Sequence, residues 1–462
     1  MQHGKGLLAG RALFYSYSMA EPIITVSGLR GIMGASLTPD VARRYVQAFM
    51  QIAPPGSIVV TRDGRASGPV LAEAVCEAVR ATDRTVIDAG VAATPTTGVL
   101  VRQLSSAGGI QISASHNPAE YNGLKLFSDE GRVLTADIGQ RVLTRFRSGD
   151  NMPPGDGRRE RCLETHSRHL QLVLATVDVE RIRRRKFRVL LDSNHGAGSL
   201  LGRRLLEELG CEPIVLGGTP DGRFEHAPEP TAENLAGVLS QVTVVGADVG
   251  FCQDPDADRL AVIDQHGRYL GEEYTLAICV EHVLRSDPGP VVTNCSSSRM
   301  TEDLATKYKV PYFHSAVGEA NVVETMKTYD AVLGGEGNGG VIDPRVGYVR
   351  DSFVGIALVL DGMSARELPV SALADELPRY EIVKTKFQLA AERVPAALAA
   401  LARHFADAEQ GWLDGLRLDW QDKWLLVRAS NTEPIVRAIA EAPTTDEAQW
   451  LCDEAAAVMG RS

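Results

Sequence analysis

Cysteine is scarce in this chain and follows no pairing pattern. Cys76, Cys162, Cys211, Cys252, Cys279, Cys295 and Cys452 are odd in number, scattered, and without a C-x-x-C pair. This argues against a disulfide scaffold or a thiolate zinc site and fits reduced thiols in the cytoplasm. Long apolar runs are also missing: none approaches the ~20 residues that span a bilayer, so no membrane partner is expected. Residues 1–20 lack a clean apolar stretch and read as a tail ahead of an internal start at Met19 rather than as a signal peptide. Positive charge is in deficit. A net charge of -11 argues against a nucleic-acid-coating surface. The one basic run, Arg181 to Arg188, leads straight into the apolar Val189-Leu190-Leu191 and reads as a solvated entry segment. No short repeat, coiled coil or low-complexity tract is present.

What is there is globular and modular. An apolar fraction of 44 % and a charged fraction of 23 % over 462 residues allow sizeable cores in three or four domains. Three times an apolar, β-rich run ends in small polar residues before a helical segment: from Ile58, from Val189 and from Val291. Strand, small-residue loop and helix in that order open an α/β unit with a largely parallel sheet. Past about residue 375 the pattern changes to strands clustered with two helices, a smaller α+β domain. The expected divisions are a tail over 1–20 and domains over 21–153, 154–266, 267–374 and 375–462. The loop 151–157 closes the first domain, and Asp264-Gln265-His266-Gly267 is the expected hinge from the second to the third.

Four segments carry chemistry. Ser115-His116-Asn117-Pro118 follows the strand-like 108–114, and Asn122-Gly123 predicts a turn before the chain resumes as a strand at Leu124. A serine at a strand end beside His116 and Lys125 can carry a phosphoryl group, with those two residues supplying positive charge or proton transfer. The same tetrapeptide also suits an ordinary polar turn in which Ser115 caps a short helix. Asp254-Pro255-Asp256-Ala257-Asp258-Arg259 places carboxylates at i, i+2 and i+4, one side of an extended segment, where they can converge on a hard cation such as magnesium. Three like charges this close repel unless a cation is present. Arg428-Ala429-Ser430-Asn431-Thr432-Glu433-Pro434, with Arg437 nearby, is a dense set of phosphate donors. Gly334-Gly335-Glu336-Gly337-Asn338-Gly339-Gly340 lacks the Lys-Ser/Thr ending of a P-loop, so nucleotide binding is not implied. Glu336 and Asn338 are its side chains able to read hydroxyls.

Taken together these segments resemble the α-D-phosphohexomutases, the family of phosphoglucomutases, phosphomannomutases and phosphoglucosamine mutases. Ser115–Pro118 is similar to the family's phosphoserine loop, Asp254–Arg259 to its metal loop, Gly335–Gly339 to its sugar-reading loop and Arg428–Pro434 to its phosphate-binding loop. The likeness runs from Ser27-Gly28-Leu29-Arg30-Gly31 to Arg437 and takes in Thr94-Pro95 and Pro220-Asp221-Gly222-Arg223-Phe224. It implies three similar α/β domains with mixed, largely parallel sheets and a smaller C-terminal α+β domain around a central cleft.

The resemblance further implies that phosphorylated Ser115 converts a hexose 1-phosphate to the 6-phosphate through a bound 1,6-bisphosphate, which also serves as activator. Mg2+ would be held by Asp254, Asp256 and Asp258, with Ser115 counted among its ligands. Arg30, His116, Lys125 and Arg259 would act in catalysis, Lys125 as an acid/base group. Glu319, Glu336, Asn338, Arg428, Ser430, Asn431, Thr432 and Arg437 would bind the phosphosugar. Val317-Gly318-Glu319 looks more like the phosphoglucosamine mutase branch, because phosphomannomutase/phosphoglucomutase members tend to carry His at the third position. The Asp-free entry motif at 27–31 tilts the same way.

Overall fold

The computed structural model describes residues 21–25, 28–149, 155–429 and 435–461. Four sheets organise them. In the first, Gly108–Ile112, Ile58–Arg62 and Val86–Val91 run parallel, and Tyr121–Phe127 and Gly28–Ile32 extend the sheet antiparallel. The second pairs Val249–Gln253, Arg188–Asp192 and Glu212–Leu216 in parallel and adds Leu260–Asp264 antiparallel. The third repeats the plan with Tyr312–Ser315, Val291–Asn294 and Leu333–Glu336 parallel and Gly340–Ile342 antiparallel. The fourth is wholly antiparallel, from Glu381–Gln388 through Ile435–Ala442, Trp424–Ala429 and Leu416–Asp419 to Glu409–Gly411.

The repetition has a consequence for function. In each α/β sheet one parallel strand turns back through a hairpin into the antiparallel strand. The hairpin connections are 113–120, 254–259 and 337–339. Each follows the carboxyl end of a parallel strand, where open α/β sheets gather ligands. The expected phosphoserine, metal and sugar-reading segments therefore occupy the equivalent position in three successive sheets.

Burial explains why the sheets form where they do. Parallel strands covered by helices on both faces read as continuous apolar runs, and Val189, Leu190 and Leu191 are all fully buried. The antiparallel fourth sheet alternates instead. Leu425, Val427, Val436, Ala438 and Ala440 pack with the helices Val394–His404 and Thr445–Arg461. On the other face Trp424, Leu426 and Ile439 cover Cys295 and Val317 of the third domain. No helix among the described residues is long and apolar enough to cross a membrane.

Three expectations change. Asn122-Gly123 is no turn but lies inside Tyr121–Phe127, Gly123 pairing with Arg30. A Cβ there would stand 2.5 Å from the Leu29 carbonyl oxygen, so glycine serves close approach rather than reversal. Asp264–Gly267 is a hairpin turn within the second sheet rather than a hinge, since Tyr269–Gly271 still pairs with Leu260–Asp264. Of the expected boundary at 151–157, residues 151–154 lie outside the described residues, and past it Arg159–Arg161 adds a last strand to the first sheet. The basic run forms the helix Val179–Arg185, in which Arg181 pairs with Asp361 and Arg183 with Glu180.

Candidate active site

Ser115 sits at the first hairpin with φ of 51°, a left-handed conformation that a β-carbon disfavours. No helix begins here, so the capping reading does not apply; Asn117 N–H donates to the Ala114 carbonyl in a tight turn instead. The turn is held from below. Ser113 Oγ accepts from Ser115 N–H at 2.8 Å and donates to Asp63 Oδ2 at 2.7 Å. Arg65, fully buried, pairs with Asp63 at 3.1 Å and donates to the carbonyls of Ser115, Asn117, Pro118 and Tyr121 at 2.6–3.0 Å. One guanidinium thus ties together four carbonyls of the turn, the Ser115 carbonyl among them in a fully buried bond.

The serine hydroxyl donates to Asp254 Oδ2 at 2.8 Å and lies 3.3 Å from His116 Nδ1. Asp254, Asp256 and Asp258 are all buried, with an oxygen from each within 4.8 Å of the others. They converge through a turn and not along an extended strand. Ala257 has φ of 55°, its N–H donates to the Asp254 carbonyl, and Asp254 Oδ1 accepts from the N–H groups of Asp258 and Arg259 at 3.1 Å.

Cations crowd round this triad. Lys125 Nζ donates to Asp256 Oδ2 at 2.6 Å and Asp258 Oδ2 at 2.7 Å. Burial alone would lower its pKa, but the two carboxylates outweigh it and raise it to about 12. Arg350 bridges the loops, donating at 2.7 Å to both Asp258 Oδ2 and Glu336 Oε2, while its backbone N–H donates to Glu319 Oε1 at 2.9 Å. Arg30 faces the same acids and Arg259. Arg259 Nη1 stands 3.6 Å from Glu229.

His116 is not a source of positive charge. Burial, then the facing Arg259 and Arg30, push its pKa down to about 3, which leaves the imidazole neutral at physiological pH. The carboxylates split in the opposite sense. Burial and the neighbouring Asp256 and Asp258 hold Asp254 well above the usual range, whereas for Asp256 the attraction of Lys125 overcomes burial and lowers it.

The triad fits a divalent cation on an observation independent of sequence pattern. Asp256 Oδ1 and Asp258 Oδ1 are buried without any hydrogen-bond partner, although the second oxygen of each is well bonded. An unpartnered buried carboxylate oxygen costs several kcal/mol, on the order of 1–3 or more, unless something charged meets it. Hard oxygen donors of this kind suit magnesium or a similar ion.

Of the residues expected at the site, the structure gathers Arg30, Ser115, His116, Lys125, Asp254, Asp256, Asp258, Arg259, Glu319 and Glu336. Glu336 is fully engaged: Oε1 accepts from Asn294 at 2.7 Å and from Gly318 N–H at 3.1 Å, while Oε2 takes Arg350. Asn338 keeps a buried Oδ1 without a partner. Arg428 and Arg437 stand apart on the fourth sheet, directly across from one another with Lys386 next in the row. Arg428 reaches toward the rest through Asp414, which accepts from Arg428 Nε at 3.2 Å and from Val317 N–H at 3.0 Å. Ser430, Asn431 and Thr432 lie outside the described residues. Asp63, Arg65 and Arg350 escaped the reading of the sequence. The Asp-x-Arg spacing of the first pair was a legible signal, whereas nothing local marks Arg350.

Three mixed α/β domains and an antiparallel fourth, with a serine hydroxyl bonded into a buried aspartate triad, define the architecture of a phosphohexomutase. Known proteins agree. Residues 22–152, 167–267 and 272–380 match the phosphoglucomutase/phosphomannomutase α/β/α domains I, II and III, and residues 384–458 match its C-terminal domain. The chain belongs to the phosphoglucomutase/phosphomannomutase family. It is 35% identical over 438 residues to a phosphoglucomutase/phosphomannomutase of Thermococcus kodakarensis, covering 91% of this chain and 95% of that protein. A probable phosphoglucosamine mutase of Thermococcus gammatolerans is 32% identical over 93% of this chain and 96% of its own. Among solved structures, a phosphoglucomutase/phosphomannomutase family protein from Burkholderia thailandensis superposes with a TM-score of 0.82 at 27% identity, covering 95% of this chain and 98% of the other.

Proposed function

We propose that this phosphohexomutase interconverts glucosamine 1-phosphate and glucosamine 6-phosphate through phosphorylated Ser115 and a bound 1,6-bisphosphate. The observation that carries the phosphoenzyme is the Ser115 hydroxyl, 2.8 Å from Asp254 of the triad and displayed on a strained turn. The sugar rests on two weaker supports. Several relatives at 30–32% identity are named probable phosphoglucosamine mutases, and Glu319, at the position noted above, is drawn into the site by Arg350.

In the forward step the free hydroxyl of the hexose 1-phosphate attacks the phosphorus on Ser115. An O–P bond to the sugar forms as the Oγ–P bond breaks. Lys125, an ammonium in the resting site, gives a proton to Ser115 Oγ as it leaves and takes the hydroxyl proton in return, so the acid/base group ends the step as it began and Ser115 is left to be rephosphorylated. The bisphosphate then turns over and returns its other phosphate to Ser115, so phosphate is conserved. Arg30 and Arg259 bind the oxygens of the transferring group, and His116, neutral, contributes hydrogen bonding rather than charge. Mg2+ on Asp254, Asp256 and Asp258, completed by an oxygen at Ser115, would supply charge neutralisation. Arg428, Ser430, Asn431, Thr432 and Arg437 grip the phosphate that is not reacting. Asn338 reads the ring through its unpartnered Oδ1, free to accept from a hydroxyl or an ammonium, and Glu336 joins it by exchanging one of its present donors for a ring hydroxyl. Seven free cysteines suit a reducing cytoplasm.

A substrate panel tests this reading. Glucosamine, glucose and mannose 1-phosphates are compared with a bisphosphate activator present to charge Ser115. The highest kcat/KM is expected for glucosamine, and a strong mannose preference would overturn the choice of sugar. Ser115→Ala should lose at least about 10³-fold in turnover and all phosphopeptide at that position. Steady release of inorganic phosphate without isomerisation would indicate a phosphatase instead. The second reading, a phosphoglucomutase/phosphomannomutase, is favoured by the name of the 35% identical relative.

A further inference from the structure

The metal loop is gripped by the N-terminal ends of two helices from different domains. Thr94, opening the helix Thr94–Gln103, donates its backbone N–H to the Asp256 carbonyl at 2.9 Å and its hydroxyl to Asp256 Oδ2. Ser352, opening the helix Ser352–Arg366, donates Oγ to the Ala257 carbonyl at 2.7 Å, and Arg350 just before it holds Asp258. A third helix, Ser167–Leu174, joins these two ends. Its His169, wholly buried, places Nδ1 2.9 Å from Thr96 Oγ1 in the first helix and Nε2 2.6 Å from Asp351 Oδ2 at the cap of the second. Asp351 uses its other oxygen to accept from the N–H groups of Phe353 and Val354, so the cap and the histidine are served at once. Phe353 packs edge-on against the imidazole at 5.3 Å.

We infer that His169 is a positioning residue for the metal loop, a crosslink that fixes the spacing between the helix end holding Asp256 and the one holding Ala257 and Asp258. It touches none of the three aspartates. It links one domain-I helix to one domain-III helix, and the loop between them belongs to domain II. A hard cation binds well only when its oxygens are already converged, and residues that orient ligands from behind typically change metal affinity by 10–100-fold. The inference rests on reading the triad as a metal site.

The imidazole spans two partners, and amide side chains can replace only half of it. His169→Asn keeps an amide near the Nδ1 position and the Thr96 bond; His169→Gln reaches to the Nε2 position and Asp351. Thr96→Val removes the first bond isosterically, and Thr96→Ser restores it. The test is direct titration of Mn2+ onto dephosphorylated protein, followed by the electron paramagnetic resonance signal of free Mn2+, with melting temperatures recorded in parallel. Each of His169→Asn, His169→Gln and Thr96→Val should weaken Mn2+ binding about 10-fold or more, and Thr96→Ser should bind like the wild type. Folded variants that bind Mn2+ as the wild type does would overturn the positioning role alone. A wild-type protein that binds no Mn2+ would overturn the metal reading and the inference with it. Should the histidine variants fail to fold, the Thr96 pair decides the question by itself.

Discussion

Arg65 shows how much a single buried charge can organise. Its guanidinium bonds one carboxylate and four carbonyls, and the hairpin bearing Ser115 has no comparable support elsewhere among the described residues. Arg65→Met should therefore leave the buried Asp63 without its counter-charge and the Ser115 carbonyl without its donor, costing about 3–5 kcal/mol in denaturant unfolding and abolishing Ser115 phosphorylation. Arg65→Lys should recover little, because an ammonium cannot reproduce the planar fork. Wild-type stability in both would show that water replaces the guanidinium. His314 gives a second prediction at this scale. Burial, then Arg417, lowers its pKa to about 4, and its Nε2 is buried without a partner. Unfolded histidine protonates near pH 6.5, so the unfolded chain takes up the proton first as pH falls. Stability from this group is complete above pH 6.5 and is lost between 6.5 and 4, up to about 2 kcal/mol by pH 5. The stability difference between wild type and His314→Gln, measured at pH 7.5 and pH 5, should shift by that amount in favour of the variant at the acid end.

At the level of elements, the hairpins after the parallel strands hold the groups that the proposed reaction uses. Two of the hairpins are not relaxed, since Ser115 and Ala257 both hold positive φ; the third takes φ of 79° at Gly339, where glycine is unstrained and a Cβ would stand 2.1 Å from the Leu260 carbonyl oxygen. The Gly339 carbonyl in turn accepts from Leu260 N–H, which ties the 337–339 hairpin to the strand leaving the 254–259 loop. Strain of this kind is maintained by the surroundings and is common where a reacting group is displayed. It predicts an order of stabilities among inactive variants. Ser115→Gly and Ser115→Ala both lose the bond to Asp254, but glycine also relieves the left-handed backbone. Ser115→Gly should be the more stable by about 1 kcal/mol in equilibrium unfolding. An alanine variant equal to glycine would mean the turn relaxes once the hydroxyl is gone.

For the whole molecule, the fourth domain meets the third, among the described residues, through a set of hydrogen bonds and one apolar contact. Glu441, fully buried, accepts from Trp424 Nε1 at 2.8 Å within its own sheet and from Arg299 N–H at 2.9 Å in the third domain. Asp414 accepts from Val317 N–H, Arg417 Nη1 donates to the Cys295 carbonyl, and Arg299 Nη1 donates to the Trp420 carbonyl at 2.9 Å. Glu441→Ala should leave two buried donors unmet, about 1–3 kcal/mol each, and loosen the fourth domain without unfolding the first three. Calorimetry should then resolve a separate low-temperature transition, and limited proteolysis should cut near 375–381. A single unchanged transition would place the attachment in the remaining hydrogen bonds of Asp414, Arg417 and Arg299 and in the apolar contact of Trp424 and Leu426 with Cys295 and Val317 instead. Because Arg428 and Arg437 ride on this sheet, the variant should raise KM for the phosphosugar more than it lowers kcat.

The sequence by itself determined the four-domain order, the strand–loop–helix repeat and which contiguous segments are candidates for chemistry. Those properties are local: apolar runs of strand length, small residues after them, and carboxylates or hydroxyls two apart. It also carried the family resemblance, because Ser115–Pro118 and Asp254–Arg259 are contiguous. Only the tertiary structure decided how Ser115 meets Asp254 across 139 residues, that the three aspartates converge through a left-handed turn, and that His116 is neutral. It alone brought Arg350 between Asp258 and Glu336, and His169 between Thr96 and Asp351. Charge state and convergence depend on what is buried opposite what. A one-dimensional pattern records which groups are available, and the packing of four domains sets which of them meet.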